Sequence, residues 1–367
     1  MSGSRSHTTT LLALLAVSLT ACSSAPARTT PTGGSQTAPS SPSFVASATP
    51  APAVTKRSLF TMPAASNGLH DLACSGPDEL VWTTVDDTEV WAGGQGTPAH
   101  KLVSLPAGHF IGNLHASGHW AVFVFGTAGP NSQTESLASW QVYAVDLTTG
   151  AARVLDSASS GAPLQAEPTP SVTGDLAIWD RLTGPSSAQL ITENLASRVR
   201  TAVPLPTSIY PVRPFIDAVG RIVFLNHATD PNRGHEEPTF RGGAFMAYDP
   251  ATHVVSQLDS SPTANFVTVA GQIAAWWDPD AAEFFLTPTS GGPRRSLGKG
   301  YASDYLSETI FVMRKAQTED TMLAVSLATQ HTVDLPSDVR ASDVQAVCGS
   351  SVYVLLNDDT FVAFTVA

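Results

Sequence analysis

The sequence is poor in positive charge, in helical periodicity and in long hydrophobic runs. Its 367 residues contain 19 Lys and Arg against 31 Asp and Glu, which gives a formal net charge of -12. Nucleic-acid phosphates would repel so acidic a chain, and an anionic membrane surface would repel its folded part. Because helical periodicity is missing almost everywhere after residue 56, most of the chain is predicted to consist of β-strands.

Common catalytic motifs are also missing. The sequence has no Gly-x-Ser-x-Gly elbow, no Walker loop and no dinucleotide fingerprint. We therefore expect a protein that binds a partner without turnover and that uses neither a cofactor nor a metal ion.

The N-terminus has the pattern of a bacterial lipoprotein signal peptide. Arg5 supplies a positive charge, and residues 11–19 (LLALLAVSL) form an apolar run too short to span a bilayer stably. The run ends in residues 19–22 (LTAC), which resemble the lipobox, in which the cysteine thiol receives a diacylglycerol. Residues 1–21 are thus predicted to be the signal peptide and Cys22 the lipidated residue. The alternative is an ordinary cleaved signal with a chance cysteine.

Residues 22–55 are predicted to be the lipidated cysteine followed by a disordered tether. After Cys22 the segment is nearly all Ser, Thr, Pro, Ala and Gly, so ordering it would cost conformational entropy with almost no burial to offset that cost. A flexible chain of ~32 residues has a root-mean-square reach of roughly 30 Å. We expect the protein to be anchored in the cell membrane through the lipid on Cys22, facing the extracytoplasmic side.

From residue 56 to residue 367 the chain repeats a turn followed by a short apolar run. The turn contains Gly or Ser, and the run is rich in β-branched and aromatic residues, as in VTGDLAIW at 172–179. Seven copies occur, and their runs end at Trp82, Phe123, Trp179, Leu225, Trp276, Val312 and Leu355. Their spacings of 36 to 56 residues lie around the length of a four-stranded propeller blade.

A second element follows each run, made of a strand, a turn of the type Asp-x-x-Thr/Ser-x and a shorter strand. The clearest copies are at 142–155, 190–203, 245–258 and 322–335. Two apolar runs joined by a short polar turn indicate a hairpin, in which Asp or Asn satisfies the turn backbone. Each repeat is thus predicted to have four antiparallel strands: A before the first turn, B after it, and the C–D hairpin.

The last repeat lacks a D strand, and residues 56–61 (KRSLFT) resemble D strands but have no repeat of their own. An open ring would leave sheet edges exposed. We therefore predict an all-β fold, a seven-bladed β-propeller over residues 56–367 that is closed by this N-terminal strand. Six blades and a β-sandwich are the alternatives, although a sandwich would not need the same unit seven times.

The repeat itself resembles that of TolB-type propellers of bacterial exported proteins, most clearly at 142–155 (VYAVDLTTGAARVL) and 170–180 (PSVTGDLAIWD). The resemblance covers essentially all of 56–367, with looser matches in blades 5 and 6. It implies the fold and carries over no catalytic residue, because propellers host unrelated functions.

A few polar and aromatic groups invite a functional interpretation. The cluster from Asn226 to Glu237 has His and carboxylate groups suited to a divalent ion, but its spacing matches no known site and a solvated loop is the simpler interpretation. Structural or surface roles are likewise favoured for three further groups. His109, His115 and His119 could bind a metal, Asp278 and Asp280 could act as paired carboxylates, and Trp276 and Trp277 could bind a sugar.

Cys74 and Cys348 stand just before the A–B turns of the first and last blades, which are neighbours in a closed ring. Export places them in an oxidising compartment, where a disulfide would cross-link the closure. Adjacent A strands could instead hold the Cα atoms beyond the ~7 Å that a disulfide tolerates, which leaves two buried free thiols as the alternative.

Two long B–C loops are predicted on one face, at 126–139 in blade 2 and 226–242 in blade 4, on either side of a shorter loop at 181–187 in blade 3. Long loops on a rigid scaffold commonly carry function. The candidate partner-binding residues of the blade-4 loop are Arg233, His235, Glu236, Glu237, Phe240 and Arg241.

Together these features predict a monomeric lipoprotein that acts as a binding or scaffold module for protein partners in the cell envelope. One alternative is an exported hydrolase or lyase acting on polysaccharide or cell-wall material, and another is a purely structural envelope protein. An enzyme would gather several His, Asp, Glu or Arg side chains around the central channel on one face.

Overall fold

A computed structural model describes residues 54–63, 69–128, 136–158, 165–184, 187–227, 243–259, 261, 264–315, 322–329, 331–337, 339, 344–356 and 360–366. These residues form 28 β-strands and contain no helix long and apolar enough to cross a membrane. The strands build seven antiparallel blades in a ring, which confirms the predicted all-β propeller.

Blades 1 to 4 follow one another along the chain. Blade 1 contains β2 (Leu72–Gly76), β3 (Glu79–Thr83), β4 (Glu89–Gly94) and β5 (Thr97–Ser104). Blade 2 contains β6 (Phe110–Ser117), β7 (Trp120–Ala128), β8 (Ser136–Asp146) and β9 (Ala152–Ala158), and the short β10 (Gln165–Ala166) pairs with the start of β8. Blade 3 contains β11 (Ser171–Thr173), β12 (Leu176–Gly184), β13 (Ser187–Asn194) and β14 (Val199–Ala202). Blade 4 contains β15 (Pro211–Ile216), β16 (Ile222–Asn226), β17 (Ala244–Asp249) and β18 (Val254–Gln257).

Blades 5 and 6 share one long strand. Blade 5 contains β19 (Asn265–Ala270), β20 (Ile273–Asp278), β21 (Glu283–Pro288) and the first part of β22 (Arg295–Leu306). Blade 6 contains the rest of β22, then β23 (Ile310–Lys315), β24 (Met322–Ser326) and β25 (Thr332–Asp334). Because β22 pairs with β21 up to Lys299 and with β23 from Gly300 onward, the two blades form a continuous seven-stranded sheet.

The ring is closed by the first described strand. Blade 7 contains β26 (Val344–Cys348), β27 (Ser351–Leu355) and β28 (Thr360–Val366), and its fourth strand is β1 (Val54–Thr61). β1 pairs antiparallel with β28, from Val54 opposite Val366 to Thr61 opposite Thr360. The predicted closure is confirmed, and the strand begins two residues before the predicted boundary.

The core lies inside the blades, between the B and C strands of neighbouring sheets. Of the seven residues that end the predicted apolar runs, six have no exposed side-chain surface and Leu355 is half-buried. The outer strands carry less apolar surface, as in β14, where all four residues are exposed. Each blade therefore has its A strand at the central channel and its D strand toward solvent.

The C–D hairpins have the predicted turn chemistry. The side-chain oxygen of the first turn residue accepts a hydrogen bond from a backbone amide two or three residues later. These pairs are Asp146 with Thr148 at 2.9 Å, Asn194 with Ser197 at 2.7 Å and Asp249 with Ala251 at 2.8 Å. The residue that follows each turn has a left-handed backbone, with φ of 71° at Gly150, 60° at Arg198 and 57° at His253.

Two of the predicted B–C loops are wrong in their extent. In blade 3 the predicted loop at 181–187 is mostly strand, since Arg181 lies opposite Gln189 within the pairing of β12 and β13. In blade 2 the strands extend through Thr127 and Ser139, whose hydroxyl oxygens are 2.8 Å apart. Ser and Thr pair well across a hairpin, so a polar sequence there does not indicate a loop.

Candidate functional site

A cavity of about 1220 Å³ occupies the centre of the ring. Its wall comes from the A strands of all seven blades, which are β2, β6, β11, β15, β19, the second part of β22 and β26. The A–B turns surround one end of this channel, which we call the AB mouth. The B–C and D–A connections surround the other end, which we call the BC mouth.

Among the described residues, two A strands carry a bulge that begins with a left-handed residue. In β6, Asn113 and Leu114 together lie opposite one residue of β7, and Arg213 and Pro214 do the same in β15. Asn113 and Arg213 both have φ of 51°, a region that is costly for a residue with a Cβ atom. Because a bulge re-aims its side chains, both residues line the channel.

The two bulges differ in how the backbone amide of their second residue is satisfied. The amide of Leu114 donates to Asp71 Oδ2 at 3.0 Å, across the boundary between blades 2 and 1. Pro214 holds the corresponding place in β15 and has no amide hydrogen to satisfy. Asp71 Oδ1 also accepts from the amide of Leu72 at 2.9 Å. Burial nevertheless raises the pKa of the Asp71 carboxyl above its usual value.

The Asn113 side chain holds a second carboxylate at the channel wall. Its Nδ2 donates to Glu167 Oε1 at 2.8 Å and to the carbonyl oxygen of Pro168 at 3.1 Å. A Cβ atom on Gly112 would collide with that same Glu167 oxygen. The missing side chain at Gly112 therefore leaves room for the Glu167 carboxylate beside the bulge.

His115, the residue after the bulge of β6, forms a hydrogen bond between blades 2 and 3. Its Nδ1 accepts a hydrogen bond from the Val172 amide at 3.2 Å, and its ring meets the edge of the Phe215 ring at a centroid distance of 6.2 Å. Burial lowers the pKa of His115 to about 4. The imidazole is therefore neutral at physiological pH, and its hydrogen bond joins β6 to β11.

Ionisable side chains lie along several blades of the channel wall. In the described part of the chain, His70 and Asp71 belong to blade 1, Glu167 and Asp180 to blade 3, Arg213 to blade 4 and Arg314 to blade 6. His70, Asp71 and Glu167 precede the A strands of their blades, and Arg213 lies within β15. Asp180 and Arg314 lie past the start of the B strands β12 and β23. All six are therefore in the half of the channel nearer the BC mouth. Glu308, in the A–B turn of blade 6, lies at the AB mouth instead.

Cys22 and the loop residues Arg233, His235, Glu236, Glu237, Phe240 and Arg241 lie outside the described residues. Cys74 and Cys348 both line the channel and are joined as a disulfide, with Cα atoms 6.1 Å apart. That separation lies within the range a disulfide needs, and the oxidation state of the pair in solution stays a prediction.

The other groups singled out from the sequence are dispersed. The His109 ring stacks on Phe125 at 4.5 Å beside a smaller cavity of about 300 Å³, and His119 Nε2 lies 3.3 Å from Asp175 Oδ1 near an A–B turn. No group of three His, Cys, Asp or Glu residues among those described could hold a metal ion.

Asp278 and the tryptophan pair have the structural roles that the sequence favours. Asp278 Oδ1 accepts from the amides of Asp280 and Ala281, at 3.0 and 3.2 Å, and so caps its turn. Trp276 is fully buried and Trp277 is half-buried.

Sequence reasoning missed the polar residues of the channel, which are Asp71, Asn113, Glu167, Arg213 and Arg314. A signal for two of them was present. Asn113 and Arg213 each interrupt an apolar A strand five residues before the first residue of its A–B turn. Strand alternation alone gives no reason for a polar side chain at that position.

No protein-family model matches the sequence, and no curated protein does. Among solved structures, virginiamycin B lyase from Staphylococcus aureus has a TM-score of 0.53 at 10% identity, over 86% of this chain and 100% of that chain. YCF48 bound to D1 peptide has a TM-score of 0.50 at 8% identity, over 85% and 96%. TolB from Acinetobacter baumannii has a TM-score of 0.42 at 14% identity, over 70% and 62%. At these identities the likeness to virginiamycin B lyase and YCF48 shows a shared propeller fold.

Proposed function

We propose that this chain is a lipid-tethered binding module of the cell envelope that holds a protein partner at the BC mouth of its propeller. Residues 1–21 are the signal peptide, Cys22 carries the lipid, residues 22–55 form the tether, and the propeller faces the extracytoplasmic side. The observation that supports binding is the pair of left-handed bulges at Asn113 and Arg213. Backbone strain of this kind clusters at functional sites, and here it places polar side chains on a channel wall.

Two further features favour a protein partner. The sequence between β16 and β17 carries Arg233, His235 and Phe240, and such a mixture of polar residues with an aromatic one suits a protein contact. The structure of YCF48 was solved with D1 peptide bound, so the propeller fold is compatible with peptide binding.

Site-specific photo-crosslinking in native membranes tests this function. A photoreactive residue in place of Thr169 or Gln345, which line the channel, should capture the same protein. The same residue in place of Val199 or Val254, which are exposed on outer D strands, is the matched control and should not capture it. Equal capture at the channel positions and the control positions would contradict the proposal, and so would the absence of capture at Thr169 and Gln345.

Lipid anchoring has a separate test. The Cys22→Ala variant should appear in the soluble fraction, while the unmodified protein stays in the membrane after a carbonate wash. A Cys22→Ala protein that resists the wash would show that something other than this lipid anchors the chain.

Two observations favour a second candidate, an exported hydrolase or lyase acting on polysaccharide or cell-wall material. Several His, Asp, Glu and Arg side chains gather in the half of the channel nearer the BC mouth, as expected of an enzyme. A carboxyl group whose pKa is raised by burial, as at Asp71, is a property of general acids. The Asp71→Asn variant separates the two candidates, because an enzyme would lose turnover while a binding module would still capture its partner.

A further inference from the structure

The hairpin of β7 and β8 in blade 2 is longer than the matching hairpin of blade 1. β7 and β8 have nine and eleven residues, whereas β3 and β4 have five and six. Trp82 and Phe123 occupy equivalent places at the end of the apolar run, yet β3 ends one residue after Trp82 and β7 continues for five residues after Phe123. The β3–β4 hairpin is therefore too short to cover the last part of the β7–β8 hairpin.

On the side toward blade 1, this part of blade 2 carries a row of aromatic and polar side chains. Phe125, which packs in the core shared with blade 1, lies opposite Gln141 of β8, and Gln141 lies opposite Ser157 of β9. Directly opposed residues of neighbouring strands point to the same face, with Cβ atoms about 4.5–5.5 Å apart. An aromatic ring, an amide and a hydroxyl thus follow one another across three strands, and all three residues line the smaller cavity of about 300 Å³.

His109 forms another wall of this cavity, from the connection between blades 1 and 2. Its ring stacks on the ring of Phe125, with a centroid distance of 4.5 Å and an angle of 14° between the two planes. Its Nδ1 lies 3.4 Å from the carbonyl oxygen of Ala107. The stack gives the cavity an aromatic wall beside the amide and the hydroxyl.

Three polar groups at the cavity are available to a ligand. The Tyr143 hydroxyl donates to Gln141 Oε1 at 2.9 Å, which fixes the amide and leaves its Nε2 as a donor. Within the described part of the chain, no hydrogen bond is made by Gln141 Nε2, by His109 Nε2 or by the Ser157 hydroxyl.

The chemistry of the wall favours a neutral ligand that is rich in hydroxyl groups. The described residues that line the cavity include no Asp, Glu, Lys or Arg, so a charged ligand would lose its hydration without gaining a partner. The hydroxyls of Ser139 and Ser157 both donate and accept, as do the hydroxyls of a sugar. A pyranose also presents C–H groups on its ring faces, which suit an aromatic wall. The volume lies at the lower end of ligand sites and suits one sugar ring.

We propose that this cavity binds one unit of a neutral carbohydrate. The sugar ring lies against the stack of His109 and Phe125, and its hydroxyl groups bond to Gln141 Nε2 and to the Ser157 hydroxyl. The sugar comes from a free monosaccharide or from a unit of a polysaccharide. Because the cavity shares no lining residue with the channel among the described residues, the inference goes beyond the proposed function and does not depend on it.

Methyl glycosides provide the probes. Full-length protein, in a detergent without a sugar headgroup, is titrated with the methyl glycosides of glucose, galactose and mannose, and binding is followed by ligand-observed NMR. At least one should bind about 10-fold or more tightly than cyclohexanol, which has the same ring size but a single hydroxyl, because several hydrogen bonds are lost. Methyl glucuronide should also bind more weakly, since the cavity offers its carboxylate no cationic partner from Lys or Arg.

The His109→Ala variant tests the aromatic wall. It removes both the stacked ring and Nε2, and it should weaken binding of the best glycoside about 5- to 100-fold. His100→Ala is the matched control. The Nδ1 of His100 also lies near the carbonyl oxygen of the residue two places earlier, at 3.2 Å, but the side chain is exposed on β5. This variant should leave the affinity unchanged.

The Ser157→Ala variant tests the row of polar groups with little risk to folding, because Ser157 is exposed at the end of β9. It should weaken binding about 2- to 10-fold, the effect of one hydrogen bond between neutral groups, with a Tm equal to that of the wild type. Ser256→Ala removes an exposed serine from β18, the D strand of blade 4, and should have no effect on affinity.

Three results would overturn the inference. These are no binding of any neutral glycoside, equally tight binding of cyclohexanol or methyl glucuronide, and equal affinities of the Ser157→Ala and Ser256→Ala variants. Selective binding that His109→Ala and Ser157→Ala both weaken supports the site, whichever result the photo-crosslinking gives. A tetrasaccharide of the best sugar then distinguishes the sources, because tighter binding than that of the methyl glycoside indicates a polysaccharide and equal binding a single sugar.

Discussion

The ring is held together differently where the chain returns to its start and where one blade simply follows another. Within blade 7, the β1–β28 pairing closes the ring. Between blades 7 and 1, the Cys74–Cys348 disulfide adds a covalent link, and the Tyr353 hydroxyl donates to the carbonyl oxygen of Pro77. Between blades 2 and 3, polar side chains add to an apolar core that both blades share. A backbone ladder and a covalent bond thus serve where a long loop must close, because that closure costs the most conformational entropy.

The interface between blades 2 and 3 depends on a buried carboxylate. Only 3% of the Glu193 side chain is exposed, and it pairs with Arg153 of β9 and with Arg200 of β14, the latter at 2.9 Å. The Arg200 guanidinium also lies 5.3 Å from the Trp179 ring centroid. The same interface contains the 2.9 Å hydrogen bond from Trp179 Nε1 to Asp156 Oδ2.

Deleting residues 54–62 should have the largest effect, because it removes β1 and exposes the edge of β28. We expect loss of cooperative unfolding and aggregation, measured by thermal denaturation and light scattering. Deleting nine residues at 30–38 is the length-matched control and should leave the Tm unchanged. An unaltered Tm after removal of β1 would show that the ring does not need this strand.

Glu193→Ala should come next and should destabilise the protein by about 3–5 kcal/mol, since two arginines lose a buried partner. Urea denaturation measures the change. Removing the exposed carboxylate of Glu79 by the same substitution should cost within about 0.5 kcal/mol. Equal effects of the two substitutions would mean that the polar contacts between blades 2 and 3 contribute little.

Replacing both Cys74 and Cys348 by serine should cost about 2–4 kcal/mol, because the open chain gains conformational entropy when it unfolds. Thiol counting on the denatured, unreduced protein tests whether the bond exists in solution. Two reactive thiols would exclude the disulfide and leave the β1–β28 pairing as the closure of the ring.

The smallest effect concerns pH. His115 has a pKa of about 4 in the folded protein, lowered from 6.5 by burial, so between these values the unfolded chain binds more protons. Stability should therefore fall as pH decreases from about 7 toward 4. His115→Gln should reduce this slope in urea denaturation series, because glutamine can accept from Val172 without titrating. An unchanged slope would remove His115 from the pH response.

The blade count, the closing strand and the C–D turns could be predicted because each depends on local sequence patterns that recur. Alternation marks strands, and Asp146 or Asp249 marks a turn through its own side chain. The extension of the β7–β8 hairpin through Thr127 could not be predicted from such patterns. Its Ser and Thr residues are also typical of loops, and only their pairing across the hairpin shows that they belong to strands.

The candidate site was harder to predict because a bulge is a property of two strands together. The sequence around Asn113 does not show that two residues of β6 will lie opposite a single residue of β7. Nor does it show that Asp71, 42 residues earlier in the sequence, will accept a hydrogen bond from the Leu114 amide. Apolar alternation would place Arg213 between blades, whereas the bulge places it on the channel wall. Such residues require the three-dimensional neighbours to be known first.

The long strand β22 joins blades 5 and 6 into one continuous sheet, so the two blades should move as one rigid unit. Its residues pass from one blade to the next without a loop, so rotating either blade alone would bend a hydrogen-bonded strand. Hydrogen exchange of amides in β20 and β24, which lie on either side of it, should therefore report the same opening free energy, as expected of one cooperative unit. Any breathing of the ring that widens the channel is then confined to the remaining interfaces, where blades meet only through side chains and loops.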